Sequence, residues 1–322
     1  MRKQRRLGLS RRLLTHAKNH REKHGLVSDA PIANGGSSGT RSGLRGAFAE
    51  TDSQCLFPFT GRFFLDHSNR ELSAGDIQRA LSPQLSKERL RKLRSAVSAR
   101  TFSVQPLLFG AYDLGNVSAI ARSAEAFGFG EMSVVAQRGA TYKQSGRTSS
   151  GASKWLHINW FEKCDSAFSA LRQRGYQRIL VADATPENNP TLLHDVDFTI
   201  PTVLCFGNER EGIPQKDVDR ADGCVAIDMR GLVESLNVSV AGAVFLYTAF
   251  RNREANLEHG SGDLGDKEKS ILEAVMMLRA VQGASRKAGG AFLEELVKRE
   301  EHLRQKEPEE FQGAKHKLKT TI

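Results

Sequence analysis

The chain has 322 residues, of which 39% are hydrophobic and 26% are charged. This composition is typical of a globular chain with a sizeable core, and the length suits about two domains or one domain with long extensions. No run approaches the ~18 apolar residues of a membrane span. The four widely spaced cysteines form neither a zinc motif nor a disulfide framework. A disulfide-rich secreted scaffold, a collagen-like chain and a polytopic membrane protein are therefore excluded, and no membrane partner is predicted.

The positive charge is concentrated at the N-terminus. Residues 1–48 contain eleven Lys and Arg against two acids, in a chain whose net charge is +10. Such a stretch is typical of an organelle transit peptide, of a basic arm that contacts RNA phosphates, or of a solvated tail. We expect a plastid or mitochondrial location, and a cytoplasmic one otherwise. His16, His20 and His24 have helical spacing, but no acid or cysteine joins them, so no metal site is predicted.

The composition divides the chain into four segments. Residues 1–60 are predicted to be a basic, disordered segment or a transit peptide, because Gly and Ser dominate the linker after Ile32. Residues 61–101 are predicted to be a helical RNA-binding extension in which Ser73 caps a helix. Its basic part, Lys87–Arg100, is either a solvated helix face or a phosphate-contacting one. An α/β domain is predicted at 102–255, and a helical C-terminal extension at 256–322.

Between 103 and 255 short apolar runs alternate with helical stretches. This alternation, with strands rich in Val, Leu and Ile, predicts an α/β fold with a parallel sheet covered by helices on both faces. The predicted strands are 106–109, 132–136, 178–182, 202–206 and 224–227. The predicted helices are 117–127, 164–174, 215–221 and 237–253, and a further helical region is predicted at 268–304. Because Val238–Phe250 is nearly all apolar, that helix is expected to be buried.

Three polar segments follow predicted strands, at the sheet edge where α/β proteins bind ligands. The first runs from Asn116 to Arg122, six residues apart and expected near one face of a helix. The second is Phe206-Gly-Asn-Glu-Arg-Glu-Gly-Ile213. The third runs from Ile227 through Arg230-Gly-Leu-Val-Glu to Ser235-Leu-Asn237. Ser235 and Asn237 could each be a plain helix N-cap or a site residue.

Together the three segments resemble, in order and spacing, the motifs of the SpoU/TrmH family of RNA ribose 2′-O-methyltransferases. The likeness covers about residues 100–253. The third segment matches the family pattern I-P-M-x-G-x-V-x-S-L-N-V-S-V-A, except that Asp228 stands in place of proline. The departure leaves the cofactor-facing and catalytic positions in place. The resemblance implies a SPOUT domain, a parallel α/β sheet whose C-terminal segment forms a trefoil knot.

The resemblance also implies the cofactor and the site residues. S-adenosylmethionine would bind at Gly207, Ile227 and Leu236, largely through backbone groups, and Thr185 after the strand 178–182 would line the same cavity. The catalytic residues would be Arg122, Asn116, Glu209, Ser235 and Asn237.

For Arg122, two roles are open: base for the ribose 2′-hydroxyl, as proposed for the family, or clamp on the adjacent phosphate and the developing alkoxide. A guanidinium stays protonated, which favours the clamp. Asn116 would orient Arg122 or the ribose, and Glu209 would hold Arg122 or Asn237.

Members of this family complete each site with a second subunit, so a homodimer is implied. The chain looks closest to the branch that methylates a D-loop guanosine of tRNA, because the segment Ser149-Ser-Gly-Ala-Ser-Lys-Trp155 resembles that branch. The predicted partner is therefore RNA, with tRNA favoured, and recognition would be by shape and backbone. The alternatives are a ribosomal-RNA methyltransferase of the same fold and a non-catalytic RNA-binding protein.

Overall fold

In this computed structural model, all described residues lie within Pro31–Ile322. The described residues are 44–45, 55–65, 71–110, 114–135, 151–208, 211–258, 260, 262–282 and 296–298. The predicted transit segment or arm at 1–48 lies outside them apart from Leu44–Arg45, and so does Glu209. The proposed domain boundaries and the organellar location stay predictions.

A seven-stranded sheet forms the centre of the described chain, in the order β6-β5-β4-β9-β7-β10-β8, and every pairing is parallel. Three short antiparallel strands, β1 to β3, form a separate small sheet near the N-terminus. The bounds are β1 Leu44–Arg45, β2 Phe63–Leu65, β3 Glu71–Leu72, β4 Val104–Phe109, β5 Glu131–Val135, β6 His157–Phe161, β7 Arg178–Ala182, β8 Thr191–Leu192, β9 Thr202–Phe206 and β10 Gly223–Ala226.

Helices cover both faces of the large sheet, which confirms the predicted fold class. The bounds are α1 Ala74–Leu81, α2 Lys87–Ser98, α3 Leu114–Ala126, α4 Cys164–Gln173, α5 Gln215–Val218, α6 Val238–Asn256 and α7 Asp266–Gln282. Helices α3 and α6 pack on each other and bury their apolar residues in one core layer with β4, β9 and β10. Helix α4 buries Phe168 and Leu171 in the layer on the opposite face. The trefoil knot stays a prediction.

Helices that precede and follow the large sheet in the sequence share a second hydrophobic core. Helices α1 and α2 contact α7, and their buried residues cluster with Phe57, Phe63 and Phe102. Ser73 caps α1, as predicted, because its hydroxyl accepts from the Asp76 amide while the Asp76 carboxylate accepts from the Ser73 backbone. The predicted helical extension at 61–101 thus contains two helices, separated by a short 3₁₀ turn at Ser82–Gln84.

Two strands of the large sheet, β6 and β8, and all three strands of the small sheet were not predicted, and one expected burial was wrong. Strand β6 was missed because it is an edge strand that mixes polar and apolar residues, and β8 has only two residues. Helix α6 buries Phe245 and Leu246, but Val240 is 49% exposed and Tyr247 is 51% exposed. An apolar helix is buried only on the sides where other elements pack against it, and the sheet packs against one side of α6.

Within the described residues, no helix is both long and apolar enough to cross a bilayer.

A buried charge network at the start of β6 makes stability depend on pH. The Glu131 carboxylate is fully buried and accepts hydrogen bonds from Arg174 and Asn159. Burial lowers the pKa of His157 to about 4, and the positive charges of Arg174 and Arg279 add to this effect against the attraction of Glu131. His157 is therefore neutral in the folded protein at pH values where it is protonated in the unfolded chain.

We expect the free energy of unfolding to fall as the pH is lowered from about 6.5 towards 4, because the unfolded state binds the His157 proton first. The full contribution is present above pH 6.5 and is on the order of 3 kcal/mol. Urea unfolding at pH 7.5, 6 and 5 measures it. His157→Gln should flatten this pH dependence, whereas the same substitution at the exposed His194 should not. An equal slope in wild type and His157→Gln would contradict this assignment.

Candidate functional site

The segments picked out in the sequence meet at one edge of the sheet. Because β4, β7, β9 and β10 are parallel, their carboxyl ends lie side by side. The loop after β9 begins at Gly207, the loop after β10 begins at Ile227, and the loop after β7 contains Asp183 and Thr185. Helix α3, with Asn116 near its start, follows β4. Four separate parts of the chain therefore supply groups to this edge.

The loop after β9 is tightly closed on itself. The Asn208 carbonyl accepts from the Gly212 amide at 3.0 Å, and the Asn208 side-chain oxygen accepts from the Glu211 amide at 2.8 Å. A Cβ atom at Gly207 would lie 2.4 Å from the Gly212 carbonyl carbon, so only glycine fits. Gly212 has φ of +63°, which also favours glycine. The loop therefore presents backbone, without a side chain at Gly207, to the sheet edge.

The first and third segments are joined by a pair of asparagines. The Asn237 side-chain nitrogen approaches the Asn116 side-chain oxygen within 3.5 Å. Asn237 is also the N-cap of α6, since its side-chain oxygen accepts from the Ser239 amide at 2.9 Å and from the Ser239 hydroxyl at 2.6 Å. The capping role and the site role are thus compatible at this residue: the oxygen caps the helix while the nitrogen faces Asn116.

The rest of the third segment lies along the same edge. Ile227 and Leu236 are half-buried, whereas Ser235 is exposed and is not the cap of α6. Leu232 is fully exposed and Val233 is 63% exposed. Asp228, in place of the family proline, pairs with Arg230 at 2.7 Å on the surface. The segment thus leaves several polar side chains, Ser235 among them, and the apolar Leu232 and Val233 exposed at the sheet edge.

Arg122 lies apart from the other predicted catalytic residues. It is exposed on α3 and makes no ion pair within the described part of the chain. The six residues between Asn116 and Arg122 advance the helix by about 9 Å and about 600°, which leaves the two side chains about 120° apart. The expectation that they share a face was therefore wrong. Arg122 points to solvent, where a separate molecule could reach it.

Asp183 is a residue that sequence reasoning missed. Its carboxylate accepts from the Thr185 amide at 2.9 Å, from the Thr185 hydroxyl at 2.6 Å and from the Asn188 amide group at 2.5 Å. Burial raises the pKa of Asp183, but these hydrogen bonds outweigh burial, so the pKa lies below its ordinary value. The Thr185 hydroxyl is thus committed to ordering its own loop. An Asp two residues before a Thr, just after a strand, was the available signal.

No cluster of metal-ligating side chains occurs among the residues that the structure describes. Of the nine predicted site residues, Asn116 and Asn237 are in contact, and Gly207, Ile227, Ser235, Leu236 and Thr185 lie in the loops of the same edge. Arg122 faces solvent further along α3, and Glu209 is not among the described residues. The roles assigned to these residues stay predictions.

Comparison with known proteins adds independent evidence. Residues 106–247 match the SpoU rRNA Methylase family. The chain is 35% identical over 167 residues to a tRNA (guanosine(18)-2′-O)-methyltransferase of Thermus thermophilus, and the match covers 51% of this chain and 83% of that protein. The enzyme of the same name from Aquifex aeolicus is 32% identical over 184 residues, covering 56% of this chain and 84% of that protein.

A solved structure agrees with these matches. The crystal structure of the A. aeolicus TrmH/SpoU tRNA modifying enzyme superposes with a TM-score of 0.54 at 28% identity, over 61% of this chain and 97% of that one. The region matched by the family, 106–247, contains most of the large sheet and all three polar segments at its carboxyl edge.

Proposed function

The chain belongs to the SpoU methylase family, and from this membership we propose that it is an S-adenosylmethionine-dependent tRNA 2′-O-methyltransferase that modifies a D-loop guanosine. The observation that carries the proposal is the contact of Asn116 with Asn237, beside the Gly207 loop. The relatives named above act on guanosine 18 of tRNA according to their names. The family description mentions ribosomal RNA, so rRNA is the alternative substrate to test.

The residues at the sheet edge fit S-adenosylmethionine. A ligand of this kind needs close backbone approach, a few amide and carbonyl partners and apolar contacts. Gly207 has no room for a side chain, Ile227 and Leu236 are half-buried and apolar, and Asp183 holds the neighbouring loop in one conformation. When bound, the cofactor supplies a methyl group activated by its sulfonium charge.

The chain itself supplies alignment and charge stabilisation. Asn116 and Asn237 offer amide groups to the ribose and to the backbone near it, and their mutual contact restricts the rotation of both. An arginine guanidinium is a poor base, so Arg122 is not assigned the hydroxyl proton, which passes to solvent water as the 2′-oxygen takes the methyl group. Arg122 instead holds the adjacent phosphate with two N–H groups and stabilises the negative charge that develops on the 2′-oxygen.

A homodimer is part of the proposal. Arg122 lies about 9 Å along α3 from Asn116 and is exposed to solvent. The exposed apolar residues Val240, Val244 and Tyr247 follow one another at helical spacing on α6. Pairing through this face would cover it and would bring the loops of one subunit towards Arg122 of the other.

The function is tested by incubating purified full-length protein with methyl-labelled S-adenosylmethionine and separate pools of unmodified tRNA and rRNA. We expect label in tRNA only, recovered after nuclease digestion as 2′-O-methylguanosine from the D-loop. Label confined to rRNA would keep the chemistry and change the substrate. Cofactor binding without label in either pool would contradict the enzymatic assignment.

A further inference from the structure

A basic cleft lies between α2 and the short turn that precedes β6. It has a volume of about 130 Å³ and is lined by Arg89, Lys92, Leu93, Arg100, Glu125 and Trp155. The Arg89 guanidinium lies over the Trp155 ring at 5.3 Å from its centroid, and the Lys154 ammonium lies at 5.0 Å from the same centroid. An aromatic ring thus brings two cations from separate segments to one place.

The positive charge of this cleft is only partly balanced. Arg100 pairs with Glu125 at 3.0 Å, and Lys92 pairs with Glu88 at 2.7 Å. For Arg89 and Lys154 the structure gives no carboxylate partner among the described residues, only the Trp155 ring. The cleft therefore has an excess of positive charge that an anion would neutralise.

The cations of the cleft also repel one another. Burial lowers the pKa of Lys154, and the nearby positive charges of Arg89 and Arg279 lower it further. Burial and the charge of Arg100 likewise lower the pKa of Arg279 to about 10. Like charges held this close destabilise each other until a negative group lies between them.

We propose that this cleft binds a backbone phosphate of the RNA substrate through Arg89 on its wall, with Lys154, which contacts the same Trp155 ring, adding positive charge beside it. The inference rests on the proposed function. The volume is far below the roughly 300 Å³ of the smallest typical small-molecule pockets, so it suits a single phosphate and not a whole nucleotide. Arginine and lysine are the usual donors to RNA phosphates.

The position of the cleft explains what the phosphate contact would do. Glu125, on its wall, follows Arg122 by three residues on α3, so the cleft lies one helical turn from Arg122. Trp155 and Arg100 precede β6 and β4, at the amino edge of the sheet, away from the loops at the carboxyl edge. The contact therefore positions the RNA strand near Arg122 and takes no part in the methyl transfer itself.

The test compares Arg89→Gln with Arg91→Gln, because Arg91 is an exposed arginine on the same helix but does not line the cleft. Affinity for an unmodified tRNA transcript is measured without cofactor over a series of salt concentrations. We expect Arg89→Gln and Lys154→Gln each to weaken binding about tenfold and to lower the salt slope by about 0.7 to 0.9, as for one lost phosphate contact. Arg91→Gln should stay within about twofold of wild type.

Two outcomes would overturn the proposal. Equal losses in Arg89→Gln and Arg91→Gln would indicate a diffuse basic surface, and unchanged affinity in the cleft variants would indicate purely structural stacking on Trp155.

In methylation assays Arg89→Gln should raise KM and leave kcat unchanged. Binding is measured without cofactor, so it does not depend on methyl transfer. If the wild-type protein binds tRNA selectively through Arg89 but transfers no methyl group, the proposed function is refuted and the phosphate site is not.

Discussion

Replacing Arg122 with alanine is expected to slow methyl transfer to tRNA by roughly 10³-fold while leaving S-adenosylmethionine affinity within a few fold. Arg122 is exposed on α3, and none of the predicted cofactor residues lies on that helix, so its loss should affect the RNA phosphate and the developing alkoxide only. Single-turnover rates with saturating tRNA and equilibrium dialysis with the cofactor measure the two quantities separately.

Two further variants test the role of Arg122 more specifically. Arg122→Lys keeps the charge but cannot hold a phosphate with two parallel N–H groups, so we expect it to recover only a small part of the rate. Arg91→Ala removes an exposed arginine outside the site and should retain the wild-type rate. A large loss of cofactor affinity in Arg122→Ala would refute the clamp role, and so would an undiminished rate.

Replacing Gly207 with alanine is expected to weaken S-adenosylmethionine binding at least about tenfold, which corresponds to about 1.4 kcal/mol. The added Cβ would lie 2.4 Å from the Gly212 carbonyl carbon, and backbone cannot give way as a flexible side chain can. The loop after β9 must therefore open, and its amide and carbonyl groups move from the cofactor. Isothermal titration calorimetry measures the affinity directly.

The control for this variant is Gly223→Ala, at the opposite end of the sheet. A Cβ at Gly223 would meet only the Leu180 side chain, at 3.8 Å, so the substitution should be tolerated. Circular dichroism should show both variants folded. Cofactor affinity equal to that of wild type in Gly207→Ala would mean that this loop is not part of the cofactor site.

The two impaired variants together test the proposed homodimer. If Arg122 of one subunit acts on ribose held at the loops of the other, a heterodimer of Arg122→Ala with Gly207→Ala contains one complete site. Co-expression with two different affinity tags isolates this heterodimer, and at a cofactor concentration too low to load Gly207→Ala we expect it to transfer methyl groups faster than either parent. A heterodimer without activity, at normal tRNA affinity, would place both groups in one subunit.

The local sequence pattern was enough to predict those elements of the fold that depend on a few neighbouring residues. Strands β7 and β9 have the predicted bounds, because short Val- and Leu-rich runs bounded by polar residues favour buried parallel strands. The Ser73 cap also follows from neighbours three residues apart. Strand β6 was missed because an edge strand contacts only one neighbour and keeps polar residues such as Asn159.

The sequence predicted some residues of the candidate site correctly and missed or misplaced others. Gly207, Ile227 and Asn237 were identified from their motifs, and they follow β9 and β10 at one edge. The shared face of Asn116 and Arg122 was wrong, because six residues turn an α-helix by about 600°, which the spacing in the sequence already implied. Asp183 was missed because its importance comes from three hydrogen bonds that only the folded loop brings together.

The sequence by itself determined the chemical groups of this protein, five of the seven strands of its large sheet and the family to which it belongs. Only the tertiary structure decided which of those groups meet. Asn116 and Asn237 are 121 residues apart and touch because their preceding strands are parallel members of one sheet. The Trp155 ring contacts both Arg89 and Lys154 because α2 packs beside the turn before β6. Pairing between distant segments is set by burial and register, which no local run of residues specifies.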